Sequence, residues 1–195
     1  LHGLETPAIR IQSSFYSAIE RLLQSQASLF LRPSILSLIQ QGVQSPYISV
    51  REKNLKLLLS ASSILPSLLL LYATVIRQST LDRGVSVRRA GGRLVVRLMS
   101  HVWAKRKTLG KEAVIRVFGW VSERVLAEEE KSIRKICEES VLEVVFQKDE
   151  WVLVGECCEL LCQQALVCRE EQADRLFREL NEILVQPSHY SEYRQ

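Results

Sequence analysis

What this chain is short of limits what it can be. Eight glycines and five prolines in 195 residues are too few to turn many short strands, so an all-β architecture is excluded. Histidine is scarcer still. His2, His101 and His189 lie so far apart that a histidine-based triad needs distant assembly. The chain also lacks a G-x-x-x-x-G-K-S/T phosphate loop, a G-x-G-x-x-G turn, a G-x-S-x-G elbow and an H-E-x-x-H pair. Gly110-Lys111, in TLGKE, has neither the upstream glycine nor the preceding strand that a phosphate loop requires. These absences argue against an enzyme and against a small-molecule substrate.

The five cysteines are an odd number, and four fall between Cys157 and Cys168. No secretory signal opens the chain, so reduced intracellular thiols are expected. Cys158 and Cys162 share a helical face, but no second short ligand pair follows and the nearest histidine is His189. Structural zinc gathers two such pairs across a loop. The cysteines therefore read as small buried hydrophobes, with no metal and no cofactor expected. A chain that opens on Leu1 rather than Met is expected to be a piece of a longer protein. The 20 residues from Leu57 to Ile76 carry no charge and are long enough to span a bilayer. SASS followed by Pro66 interrupts them, so a buried helix pair is expected and no membrane contact.

What is present is helical periodicity. The composition, 47% hydrophobic and 25% charged, is that of a globular protein. In the stretch from Val85 to Trp103, Val87, Gly91, Leu94, Val95, Leu98 and Val102 fall on one face. The same period predicts helices over 33–41, 50–60, 66–78, 112–127, 131–146, 151–167 and 170–185. Short breakers separate these segments, among them QSPY, LDRG, AEEE and QKDE. Ile9-Arg10, Val50-Arg51, Val87-Arg88 and Ile133-Arg134 each begin a helix, at offsets of 41, 37 and 46 residues. Two helices per unit at such periods characterise HEAT or armadillo arrays. The expected fold is all-α, a HEAT-type α-solenoid of about four to five antiparallel helix pairs. It forms one array over 1–195, with repeat helices starting near 9, 50, 87 and 133 and a closing pair at 151–185. Ser49 and Glu52 have the spacing of a capping box. Arg51, Arg88 and Arg134 follow a core-facing Val or Ile and are assigned to repeat interfaces, for example through Asp82.

Charge is divided between the two halves. Residues 1–116 hold 17 Lys and Arg against 5 Asp and Glu, whereas residues 117–195 hold 9 against 17. From Arg83 to Lys111 there are nine basic residues and no acidic one. Arg89, Arg93 and Arg97, four residues apart, make a ridge opposite the apolar face, and His101 and Lys105 continue it. Lys105, Arg106 and Lys107 carry the charge into a turn. Guanidinium groups without counter-charges suit phosphate oxygens. No recognition-helix motif or aromatic platform accompanies them, so phosphate contacts without base readout are expected. A solvated face, or a basic patch for an acidic protein partner, is the alternative. Gly91 lies on the inward face, where it admits a close neighbour; this reading does not account for Gly92.

Three blocks, SPYISVREKNLKLLL (45–59), LYATVIRQSTLDRGVSVRRAGGRLVVRLM (71–99) and FGWVSERVLAEEEKSIRKICEESVLEVVF (118–146), resemble the NIPBL/Nipped-B family of cohesin loaders. Val50-Arg51-Glu52, Gly84-Val85-Ser86-Val87-Arg88, the acidic turn Glu128–Glu130 and Ile133-Arg134-Lys135 fill the family's places in order. Lys53-Asn54 stand where the family has small residues, Gly91-Gly92 where it has bulkier ones, and the likeness fades after Phe146. The resemblance implies a hook-shaped nuclear scaffold on chromatin. Such a scaffold binds DNA and the SMC and kleisin subunits of cohesin, promotes cohesin loading and sister chromatid cohesion, and has no active site of its own.

Overall fold

The computed structural model describes residues 26–147 and 150–168, with isolated positions at 14, 18, 19, 21, 22, 171, 173–175, 177 and 178. Every regular element among the described residues is helical. A 3-10 turn, Ala27–Leu31, precedes α1 (Pro33–Val43), α2 (Ile48–Ile64), α3 (Leu68–Leu71), α4 (Ala73–Ser79) and α5 (Val85–Ala104). There follow α6 (Arg106–Leu109), α7 (Lys111–Ala127), α8 (Lys131–Val145) and α9 (Trp151–Val167). The chain divides into two compact units, Leu1–His101 and Val102–Gln195. The expected helix start at Ile9-Arg10, and most of the helix expected over 170–185, lie outside the described residues.

Local chemistry sets the boundaries. Pro33 occupies the first turn of α1, where its missing N–H is not needed. The uncharged run from Leu57 to Ile76 is cut after Ile64, and Tyr72 interrupts what the periodicity reads as one helix, leaving α3 and α4 as separate turns. Among the described residues no helix is long and apolar enough to cross a membrane. Gly110, at φ +82°, takes the left-handed conformation that separates α6 from α7. The capping box read at Ser49 and Glu52 does not form. Ser49 lies inside α2 rather than at its N-cap, which is Tyr47, and Glu52 instead pairs with Lys56 at 2.6 Å.

The turns before α2, α5 and α8 share one seven-residue device. Three residues before each helix stands a side-chain acceptor: Ser45, Asp82 or Glu128. Its side chain accepts the backbone N–H two residues on: Tyr47 to Ser45 Oγ at 3.3 Å, Gly84 to Asp82 Oδ1 at 2.7 Å and Glu130 to Glu128 Oε1 at 3.1 Å. The arginine at the fourth helical position then reaches back to the carbonyl of that same acceptor. Arg51 donates to Ser45 O at 2.8 Å, Arg88 to Asp82 O at 3.0 Å and Arg134 to Glu128 O at 3.2 Å. The residue before each arginine, Val50, Val87 or Ile133, is buried. Aliphatic carbon anchors the helix start while the guanidinium closes the turn's open hydrogen bonds.

In the first unit the core gathers Ile39, Leu55, Leu58, Leu68, Tyr72, Ile76, Leu94 and Leu98. Arg51 forks onto Asp82, Nε to Oδ2 at 2.7 Å and Nη2 to Oδ1 at 2.8 Å, and so ties the start of α2 to the turn before α5. Gly91 sits in α5 against the end of α4, where a Cβ would stand 2.9 Å from the carbonyl carbon of Ser79 and 3.0 Å from Thr80 N. In the second unit α7 packs on both α8 and α9 around Val114, Phe118, Val121, Val125, Ile133, Cys137, Val141 and Leu161. The Gln164 amide donates to Gly119 O at 3.1 Å, and its oxygen takes the Ser122 hydroxyl, clasping α9 to α7.

Three substitutions test this packing. Gly91→Ala is expected to destabilise by about 1–3 kcal/mol in chemical denaturation, because backbone must move to admit the methyl group. Gly155→Ala in α9, where nothing lies within 4 Å of the added Cβ, is expected to stabilise by about 0.5–1 kcal/mol. Arg51→Ala removes one partner of a pair whose side chains are only 7% and 15% exposed, and a loss of about 3 kcal/mol is expected. Burial alone raises the Asp82 pKa, but the Arg51 and Gly84 hydrogen bonds and the charges of Arg51 and Arg83 outweigh it and hold the carboxyl below its usual value. A lowered folded-state pKa stabilises the fold above the unfolded value, and that stability is lost as pH falls through the folded one. The gap in stability between wild type and Arg51→Ala is therefore expected to narrow below about pH 4.

Candidate nucleic-acid interface

The ridge arginines of α5 run beside α2. Arg89 is half-buried, while Arg93 and Arg97 are exposed. Arg97 Nη1 donates to Leu59 O and Ser63 Oγ, both at 2.7 Å, near the end of α2. Arg89 lies by the start of α2, where its charge acts on Glu52. The Glu52 pKa is lowered first by the Lys56 hydrogen bond, against burial, with Ser86 and the charges of Lys56 and Arg89 adding to it. The Arg93 side chain, between them, makes no hydrogen bond or ion pair among the described residues. Spacing of four gives three equivalent arginines only on an isolated helix. Here a neighbouring helix lies along the ridge and engages its two ends.

The basic turn belongs to the second unit. Lys105 and Lys107 are exposed, and neither makes a hydrogen bond or ion pair through its side chain among the described residues. Arg106 is engaged. Its guanidinium lies over the Trp103 ring, 5.3 Å from the centroid. Nη1 donates to Trp103 O at 3.1 Å, and Nε pairs with Glu150 Oε1 at 3.0 Å. One turn later Lys111 Nζ meets Glu156 Oε1 at 2.6 Å, and this bond raises the lysine pKa. These groups line a cleft of about 230 Å³ with Lys107, Val152 and Leu153. Reading the sequence missed Glu150 and Glu156. They lie more than 40 residues from their partners, and nothing in their spacing signals the pairing.

The three motif arginines stand apart from these groups. Arg51 and Arg88 converge on Asp82, one on its carboxylate and the other on its carbonyl, while Arg134 holds Glu128 O and pairs with Glu138 at 3.3 Å. The cysteines divide by environment. Cys137 and Cys157 are buried, and burial pushes each thiol up to about 12. Cys158 and Cys168 are half-buried and Cys162 is exposed, so the reading as buried hydrophobes fails for Cys162. The described residues contain no group of three or more His, Cys, Asp or Glu placed to hold a metal ion. Alkylation with iodoacetamide at pH 8, followed by mass spectrometry, is expected to modify Cys162 first and to reach Cys137 and Cys157 only on unfolding. Equal labelling of all five in the native protein would contradict these burial assignments.

No protein-family model, curated protein or solved structure matches the chain.

Proposed function

We propose that this chain is a HEAT-type α-solenoid scaffold that acts by binding, and that its basic segment contacts the phosphates of double-stranded DNA without reading sequence. The observation that carries the reading is the segment from Arg83 to Lys111, nine basic residues with no acid among them, in which Arg93, Lys105 and Lys107 are exposed and unengaged. Cations in that condition neutralise phosphates and release counterions, whatever the bases beyond. The array is supported by the turn device, whose acceptors stand 37 and 46 residues apart. Each copy opens a helix that is followed by further helix. The resemblance to cohesin loaders supplies the setting: a chromatin protein of the nucleus that holds DNA together with SMC and kleisin subunits.

A second reading, a scaffold for an acidic protein segment, is favoured by one observation. Carboxylates already occupy part of the basic run, Glu150 on Arg106 and Glu156 on Lys111.

Fluorescence anisotropy with a duplex of mixed sequence, measured across a salt series, separates the two readings. Binding is expected to be indifferent to sequence and to weaken linearly in log–log form. Replacing Arg93, Lys105 and Lys107 together by Gln is expected to flatten the slope by about 2.7, at about 0.9 per phosphate contact. The melting temperature should be nearly unchanged, since none of the three side chains bonds another described group. Absence of duplex binding at low salt, with binding of poly-glutamate instead, would decide for the acidic partner.

A further inference from the structure

We infer that the cleft between the start of α7 and the start of α9 is a phosphate site held closed by the protein's own carboxylates. Arg106, Lys107 and Lys111 are its ligands, and Glu150 and Glu156 are the anions that a DNA phosphate must replace. The inference rests on the phosphate reading of the basic segment and adds a regulated second contact to it.

The cleft presents three cations and two carboxylates beside buried Leu153 and exposed Val152. Arg106 is pre-positioned. Trp103 supports its guanidinium from one face and the Trp103 carbonyl holds Nη1, so the side chain keeps its place when the carboxylate leaves. Both ion pairs are open to water, with side chains 22% and 32% exposed for Arg106–Glu150 and 57% and 30% for Lys111–Glu156. Solvated pairs of this kind are weak and exchange readily for another anion. Phosphate is the better partner, since its oxygens take an arginine fork and a lysine together. Lys107 has no partner to displace and gives the incoming phosphate its first contact. Two of the nine cations between Arg83 and Lys111 are thus withheld from DNA until the acidic half of the chain releases them.

The test compares duplex binding, over a salt series, by the intact chain, the Glu150→Gln/Glu156→Gln variant and a control, Glu129→Gln/Glu143→Gln. The control makes the same change in charge at exposed glutamates whose carboxylates pair with no described residue. Freeing two cations is expected to steepen the log–log slope by about 1.8 and tighten binding by tens of fold at 0.1 M salt. The control is expected to change affinity by less than about threefold and to leave the slope alone. Adding Arg106→Gln and Lys111→Gln to the first variant is expected to abolish the gain. If wild type binds DNA and the cleft variant matches the control, the closed site is wrong and the basic-segment reading stands. If only the cleft variant binds, the closed site is supported in its strongest form. If neither binds, the phosphate reading fails and takes this inference with it.

Discussion

An arginine reaching back six residues to a turn carbonyl is the interaction on which the rest of this structure depends. A helix that begins at a sharp turn leaves backbone groups without partners just where aliphatic side chains must be buried. Arg51, Arg88 and Arg134 resolve that conflict in the same way, each beside a buried Val or Ile and each supported by a side-chain acceptor at the carbonyl it holds. Arginine suits the task because its planar fork offers several donors in fixed directions. Arg51 uses this fully, satisfying Ser45 O with one nitrogen and the Asp82 carboxylate with the other two. One side chain then fixes the start of α2 and the turn that launches α5.

The same residue type does opposite work a few positions later. Arg88 is engaged by its own turn, whereas Arg93, one and a half helical turns on, is exposed and unengaged. What separates structural from available arginine is the neighbouring element. Arg97 and Arg106 are exposed or partly exposed, yet both are held by groups from elsewhere in their own unit, Arg97 by the end of α2 and Arg106 by Glu150. Charge in this chain is therefore a poor measure of what a ligand meets. The nine-residue excess between Arg83 and Lys111 is a reservoir, of which Arg93, Lys105 and Lys107 are open in the structure described.

Gly91 illustrates how far local pattern reaches. Its place on the inward face of α5 is legible from the spacing of Val87, Leu94, Val95 and Leu98, all of which are buried. The reason for glycine is a packing fact: the backbone of Ser79 and Thr80 lies where a Cβ would stand. Ser49 illustrates the opposite. Its spacing from Glu52 matches a capping box, but the helix starts two residues earlier and Ser45 takes the acceptor role. The repeated Ser-Val-Arg was visible as letters; the acceptor three residues before each helix was not, because Ser, Asp and Glu are different letters performing one task.

By itself the sequence determined the helical class, most helix spans and the inward faces, because the 3.6-residue period of apolar side chains is a local property that burial must satisfy. It also located the basic segment, since charge is countable. Only the tertiary structure decided which cations are engaged. Ion pairs and hydrogen bonds such as Arg106–Glu150, Lys111–Glu156 and Arg97–Leu59 join residues 38 to 45 positions apart. Such contacts follow from how helices come to lie beside one another, and no spacing along the chain encodes that.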